Sequence, residues 1–279
     1  MSTLDDRLAA LDAQFAPLPG VLVAFSGGVD SGVVLAAAVR ALGPDRVVAA
    51  TAVSPSLPAA ERAGAAAFGA SLGVRHDFPR TDELSRAGYV ANGGDRCAFC
   101  KTELVDVLTP LAARLGIADV VTGTNADDLT AGFRPGIAAA AARGAWAPLA
   151  RAGMTKDDVR AAARRWELPL ADKPAAACLA SRIAYGVPVT AEGLARVEEA
   201  EAALRAALTT AGLPVRNLRV RDLGADTARV EVDAALVPEV AARPELLAAV
   251  AGFSSVEVDP RGFRSGAMNE LLPDPVRYR

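Results

Sequence analysis

Val21-Leu22-Val23-Ala24-Phe25-Ser26-Gly27-Gly28-Val29-Asp30-Ser31 runs from one apolar stretch through two glycines into another, and its reading decides the fold. Residues 21–25 have the length and composition of one buried strand. Residues 31–42, alanine-rich and closed by Gly43-Pro44, read as a helix. Between them, Gly27 and Gly28 let the backbone approach an anion with no Cβ in the way. The helix beyond aims its free N–H groups and positive dipole end at the same point. Ser26 and Ser31 add hydroxyl donors for phosphate oxygens. Asp30 is the odd member, because a carboxylate beside phosphates needs a mediator. Either it holds Mg²⁺ against them, or it fixes the loop through backbone hydrogen bonds. The chain has neither a G-x-x-x-x-G-K-[ST] run nor a G-x-G-x-x-G run, so this is a phosphate loop of a different kind.

Outward from the loop, Leu4, Leu8, Leu11 and Phe15 space a helix over 3–15. Strands are expected at 47–53, 74–78 and 119–123, and helices at 58–72, 97–115 and 156–166, the last capped by Thr155-Lys-Asp-Asp158. This alternation predicts an α/β fold, a doubly wound parallel sheet with helices on both faces. After Gly186-Val-Pro188 the texture changes. A helix over 192–211 precedes alternating runs at 217–223 and 228–233, parted by Gly224-Ala-Asp226, then a helix over 238–250 and a strand at 255–258. That order suggests a smaller α+β domain with an antiparallel pair. The boundary is expected near 185, leaving residues 1–185 for the nucleotide and 186–279 for substrate or oligomer contacts.

Of the 279 residues 52% are apolar and 23% charged, which fits a globular fold rather than disorder. A net charge of -3 argues against a general electrostatic grip on nucleic acid. No apolar run reaches membrane-spanning length, and the opening MSTLDDRLAALDAQFAPLPG carries early acids unlike a secretory leader. The expectation is a cytoplasmic protein with no nucleic-acid or membrane partner. The single histidine, His76, reads as a solvated or core-edge residue.

Further chemistry gathers in three places. Thr122-Gly123-Thr124-Asn125, followed by Asp127-Asp128, ends the fourth strand, where a doubly wound sheet binds ligand. Gly123 can let ribose or an α-phosphate lie against backbone. Asp127 can hold Mg²⁺ or orient the nucleotide, unless Asp127 or Asp128 is a helix N-cap. Cys97-Ala-Phe-Cys100 and Cys178 make an odd trio that points to metal or redox chemistry in a reducing compartment. Three cysteines are a poor zinc set, but three thiolates can carry a 4Fe–4S cluster with one iron left open. Three unrelated core cysteines, or a redox disulfide between Cys97 and Cys100, are the alternatives. Arg219 and Arg221 alternate on one face of a strand, so both can reach one phosphate or carboxylate. Arg264 sits in the glycine-rich turn Gly262–Gly266, and Arg182 follows Cys178 closely enough to steer a carboxylate toward it. Glu201 and Glu231 are weaker candidates for holding a metal or the substrate. Any of these charges taken alone reads as solvated surface.

Two resemblances join these readings. Ser26-Gly-Gly-Val-Asp-Ser31 resembles the SGGxDS motif of PP-loop ATP pyrophosphatases, an adenine nucleotide alpha hydrolase-like fold that cradles pyrophosphate and splits ATP between its α and β phosphates. Asp95-Arg-Cys-Ala-Phe-Cys-Lys101, Gly123-Thr-Asn-Ala-Asp-Asp128, Arg134-Pro-Gly136, Cys178-Leu-Ala-Ser-Arg-Ile-Ala-Tyr-Gly186 and Gly262-Phe-Arg-Ser-Gly266 together look like the LarE-type sulfur transferases, in order along nearly the whole chain. That resemblance implies an enzyme of nickel-pincer nucleotide cofactor biosynthesis. It would adenylylate a carboxylate of pyridinium-3,5-biscarboxylic acid mononucleotide, a small anionic nucleotide, and replace an oxygen with sulfur, releasing AMP and pyrophosphate. It implies ATP and Mg²⁺ at Ser26, Gly27, Gly28, Asp30, Ser31, Gly123 and Asp127. Substrate would lie at Arg182, Arg219, Arg221 and Arg264, with catalysis at Cys178 and Asp30. Single-cysteine members give up the sulfur of the residue matching Cys178, which becomes dehydroalanine. The three-cysteine pattern resembles cluster-bearing members, so a 4Fe–4S cluster on Cys97, Cys100 and Cys178 is the expectation, as is a homo-oligomer. A transfer RNA thiolase, an ammonia-using ligase and a nucleotide-binding regulator without turnover are the rival readings.

Overall fold

Four short runs pair in parallel around the phosphate loop: β1 (Val21–Ala24), β2 (Val47–Ala50), β3 (Arg75–Asp77) and β4 (Asp119–Val121), in spatial order β3-β2-β1-β4. The computed structural model describes residues 3–130, 135–174, 177–264 and 266–272. Alternation along β1 sends side chains into two apolar layers. Val21 and Val23 join one core with Leu35, Phe15 and Val159, while Leu22 joins another with Val105 and Leu108. Helices therefore cover both faces of the sheet, as the alternating sequence pattern requires. The expected doubly wound α/β fold is present.

In chain order the first helices are α1 (Leu4–Phe15), α2 (Val29–Leu42), α3 (Ala59–Ser71), α4 (Ala87–Val90), α5 (Arg96–Arg114), α6 (Ala126–Thr130), α7 (Pro135–Ala141), α8 (Pro148–Arg151) and α9 (Lys156–Arg165). Thr3 with Asp6 and Thr155 with Asp158 form capping boxes that satisfy the first N–H groups of α1 and α9. Asp158 also pairs with Arg7, joining those two helices. His76 stands at the core edge: its Nε2 is 2.8 Å from Thr51 Oγ1, its ring stacks on Phe78 at 4.1 Å, and burial lowers its pKa.

The described residues divide into two compact units. The first holds the parallel sheet; it runs to Glu83 and resumes from Cys97 through the described residues before 175. The second takes Leu84–Arg96 and the described residues from Ala177 onward. Within it, α10 (Ala191–Thr210) packs on a three-stranded sheet of order β5-β6-β7, from β5 (Leu218–Asp222), β6 (Thr227–Val232) and β7 (Ser255–Val258). β5 and β6 are antiparallel, and β7 joins β6 in parallel. The helix expected over 238–250 is two short ones, α11 (Val237–Ala241) and α12 (Pro244–Leu247). Pro244 lacks the N–H that would continue the first, and it pushes Arg243 out of helical geometry, at φ -121 and ψ 82. Among the described residues no helix is long and apolar enough to cross a membrane.

Leu35 is fully buried at 0% exposure in the core that backs the phosphate loop. Leu35→Ala should cost roughly 2–5 kcal/mol through the lost methyls and the cavity left behind. Urea unfolding followed by the fluorescence of Trp146 and Trp166, both packed against that core, measures it.

Candidate functional site

In the first unit the loop leaves β1 at Ala24, and Phe25 N–H still bonds Ala50 O at 2.9 Å. Gly27 turns the chain at φ 75, a left-handed conformation that costs glycine little. Gly28 is the N-cap of α2 at φ -89, and nothing on its side caps the helix. The first N–H groups of α2 thus keep their donors facing the loop. Ser31 is buried at 3%, and its hydroxyl donates to Gly28 O at 3.2 Å while accepting Ser26 N–H at 3.2 Å. It lies 3.1 Å from Ser26 Oγ. Ser31 therefore shapes the loop from inside, and the exposed Ser26 is the hydroxyl that faces outward.

Asp30 is held by side chains from two other segments. Its carboxylate accepts Asn125 Nδ2 at 2.9 Å and pairs with the Lys156 ammonium. Lys173 stands on the other side of the loop, donating to Gly27 O at 2.8 Å and to Glu61 Oε2 at 2.7 Å. Neither lysine was among the residues the sequence singled out. Both come from segments more than a hundred residues away, so no local spacing announces them.

Gly123 packs against the backbone of α2. A Cβ there would lie 2.6 Å from Ser31 N and 2.9 Å from Ser31 Cα, so the end of β4 packs directly on the first turn of α2. Asp127 accepts Lys156 N–H at 2.8 Å and so fixes the start of α9. The N-cap role weighed for Asp127 or Asp128 falls to Asn125. Its Oδ1 accepts Asp128 N–H at 3.1 Å, and Asp128 Oδ2 accepts Asn125 N–H at 3.2 Å.

The three cysteines are free thiols. Cys97 is exposed and Cys100 half-buried, one turn apart at the start of α5, where Gly136 comes close enough that a Cβ would meet Cys97 O at 3.0 Å. Arg134 and Ser265, quoted with the same motifs, lie outside the described residues. Cys178, in the second unit, is exposed at the mouth of a short 3-10 turn, Leu179–Arg182. Within neither unit do three His, Cys, Asp or Glu side chains gather as metal ligands, among the described residues.

Of the candidate arginines in the second unit, Arg182, Arg219 and Arg221 are interior groups and Arg264 is half-buried. Arg182 is 4% exposed and grips Glu201 through two bonds, 2.9 and 3.1 Å. Its remaining nitrogen donates to the carbonyls of Ala177 and of Cys178, the latter at 3.1 Å. It therefore holds the backbone of the cysteine in place. Arg219 and Arg221 do share one face of β5, opposite Leu218 and Val220, which enter the core. Arg221 bonds Glu231 at 2.7 Å and Ser181 O at 3.0 Å, yet its Nε is buried with no hydrogen-bond partner among the described residues. Arg219 lies over the Phe263 ring at 5.1 Å and donates to Leu218 O at 2.7 Å. Burial, then the positive charge of Arg182, pushes its pKa down to about 10. Arg264 pairs with Glu270, whose carboxyl falls to about 2 chiefly through that bond. Arg182, Arg219, Arg221 and Glu231 are buried, with the half-buried Glu201 beside them. An anion placed there would give the Arg221 Nε a partner.

No family model matches the chain. It is 40% identical over 274 residues to an uncharacterized protein of Synechocystis, spanning 96% of this chain and 99% of that one. It is 34% identical over 275 residues to the pyridinium-3,5-bisthiocarboxylic acid mononucleotide synthase of Lactiplantibacillus plantarum, spanning 98% of this chain and 97% of that one. An uncharacterized protein of Methanocaldococcus jannaschii is 32% identical over 116 residues, 42% of this chain and 45% of the other.

Gly123→Ala should force α2 away from β4 and cost about 1–3 kcal/mol by overpacking. Gly28→Ala, whose new methyl would meet only Ser26 Oγ at 3.5 Å, should leave the melting temperature nearly unchanged. Thermal unfolding of the two variants side by side checks the contrast.

Proposed function

The chain belongs to the family of the pyridinium-3,5-bisthiocarboxylic acid mononucleotide synthases, the LarE-type sulfur transferases, and from that premise we propose that it converts a carboxylate of pyridinium-3,5-biscarboxylic acid mononucleotide to a thiocarboxylate at the expense of ATP. The end-to-end 34% identity to the Lactiplantibacillus plantarum synthase carries this reading. The phosphate loop, the free thiols and the buried arginines support it.

ATP enters as its Mg²⁺ complex, so the ion arrives with the nucleotide. The carboxylate of Asp30 is engaged by Asn125 and Lys156, so no step is assigned to a metal held there. The backbone around Gly27 and Gly28, the open N–H groups of α2 and the hydroxyl of Ser26 receive the phosphates. Lys156 and Lys173 stand at the loop with carboxylate partners that a nucleotide's charge can replace. A carboxylate oxygen of the substrate attacks the α-phosphorus, the bond to the β-phosphate breaks, and pyrophosphate leaves with both electrons. Catalysis at this step is positioning and charge neutralisation. The purpose is a leaving group: an unactivated carboxylate expels oxide poorly, and an acyl-adenylate expels AMP. Sulfur then attacks the acyl carbon, the carbon–oxygen bond to AMP breaks, and a thiocarboxylate remains.

The substrate's own phosphate and carboxylates match the face of β5 that carries Arg219 and Arg221, where the Arg221 Nε has no hydrogen-bond partner among the described residues, and Arg264 follows Phe263, the ring under Arg219. Arg182 and Glu201 hold the Cys178 backbone. For the sulfur source, the donor chemistry of three free thiols fits an iron–sulfur group, with Cys97 and Cys100 one turn apart on α5. A 4Fe–4S cluster held by Cys97, Cys100 and Cys178 would, when bound, supply an iron without a protein ligand, on which sulfide can be carried.

Anaerobic incubation of the full chain with MgATP and pyridinium-3,5-biscarboxylic acid mononucleotide should release AMP and pyrophosphate only when both substrates are present. The wild type should also form thiocarboxylate, whereas Cys178→Ala should still release pyrophosphate, with AMP freed only as water hydrolyses the acyl-adenylate and thiocarboxylate falling to background. AMP release that ignores the carboxylate substrate would overturn the reading. Dehydroalanine at position 178 after a single turnover would instead identify the cysteine itself as the sulfur donor.

A further inference from the structure

The stretch that leads into Cys97 is bonded far more heavily than a simple connection needs. Asn92 is 0% exposed at φ 54, a left-handed conformation that asparagine accepts more readily than most residues. Its amide nitrogen donates to the carbonyls of Ala184 and Val187, each at 2.8 Å. Its backbone carbonyl accepts Gly186 N–H at 3.2 Å, and Val90 O accepts Val189 N–H at 2.9 Å. Arg96, four residues on, is 5% exposed. One of its terminal nitrogens donates both to Asn92 Oδ1 and to Ala180 O, the latter at 2.9 Å. Its guanidinium carbon stands 5.4 Å from the centre of the Tyr185 ring. All these residues belong to the second unit.

The partners form one run, residues 180–189, which begins two residues after Cys178. Arg96 is bonded through its own peptide to Cys97, and successive Cα atoms are about 3.8 Å apart. The bond from Arg96 to Ala180 therefore ties the backbone entering Cys97 to the backbone leaving Cys178. We propose that Arg96, seated by Asn92, is a positioning residue that holds the two cysteine-bearing segments in register for joint use of their sulfurs. The inference rests on the three-cysteine reading above.

The residue type suits the task. A planar guanidinium can present fixed donors to two oxygens while its face lies on Tyr185, whereas a lysine ammonium offers neither the plane nor the fork. Removing the side chain leaves Asn92 Oδ1 without this donor and Ala180 O with only the Ile183 N–H at 3.2 Å, a cost that falls on this clasp and not on the phosphate loop. Arg182 secures the other side of the same cysteine through the Ala177 and Cys178 carbonyls, so the Cys178 turn is held from both ends.

Thiol trapping on the full-length, metal-free protein tests this without relying on turnover. Diamide, an azo oxidant, takes up two electrons and two protons as two thiols join, and peptide mapping by mass spectrometry identifies the pair. The wild type should trap Cys178 with Cys97 or Cys100. Arg96→Met should slow that trapping about tenfold or more, as misplacement slows other proximity-dependent reactions. Its circular dichroism and ATP binding should stay intact, and Arg96→Lys should recover part of the rate. Should Arg96→Met not fold, the Arg96→Lys rate alone decides, with a rate equal to wild type counting against the proposal. Equal rates in wild type and a folded Arg96→Met overturn it, as does a wild type that never links Cys178 to the other two. Iron content after anaerobic reconstitution is read separately. Trapping that depends on Arg96 in a protein that takes up no iron would uphold the positioning role and sink the cluster.

Discussion

The missing side chain at Gly123 is the constraint on which the phosphate loop rests. With 2.6 Å between a notional Cβ and Ser31 N, the end of β4 and the first turn of α2 can touch only if that position is glycine. Their contact holds the turn after β1 in place. Ser31 then stitches the loop from inside, and Asn125, just beyond Gly123, reaches Asp30. Open N–H groups at the head of α2 are useful for binding phosphate only if the helix cannot drift. The packing supplies that rigidity, and the carboxyl ends of β1 and β4 meet where strand order reverses, the place such sheets reserve for ligands.

Charge is arranged differently in the two units. Around the loop each lysine has a carboxylate in reach, Lys156 with Asp30 and Lys173 with Glu61. Such partly exposed pairs add little stability by themselves. They keep two cations beside the loop without leaving them bare. In the second unit the charges are buried, where an uncompensated cation is costly. Glu201 and Glu231 answer Arg182 and Arg221, and burial lowers the pKa of Arg219 to about 10.

Much of this could be read from the chain before its coordinates. The loop was legible because strand, glycines and helix are contiguous, and period-two alternation put Arg219 and Arg221 on one face. The doubly wound sheet followed from the order of apolar runs. What escaped was non-local. The packing of Gly123 on α2 cannot be seen from spacing, nor can the pairing of Arg182 with Glu201, nineteen residues away on α10. Lys156, Lys173 and Asn92 were singled out for no site, Arg96 lies in the 95–101 run without a role read for it, and their contacts come from chain segments the fold brings to them. The break at Pro244 was the one local signal overlooked.

The central claim is that a substrate oxygen passes to AMP. Substrate labelled with oxygen-18 in its carboxylates, turned over anaerobically with unlabelled MgATP, puts the question directly to mass spectrometry. Attack of the carboxylate on the α-phosphorus predicts one labelled oxygen in the phosphate of each AMP and none in pyrophosphate. AMP that emerges without label, while thiocarboxylate still forms, would contradict it.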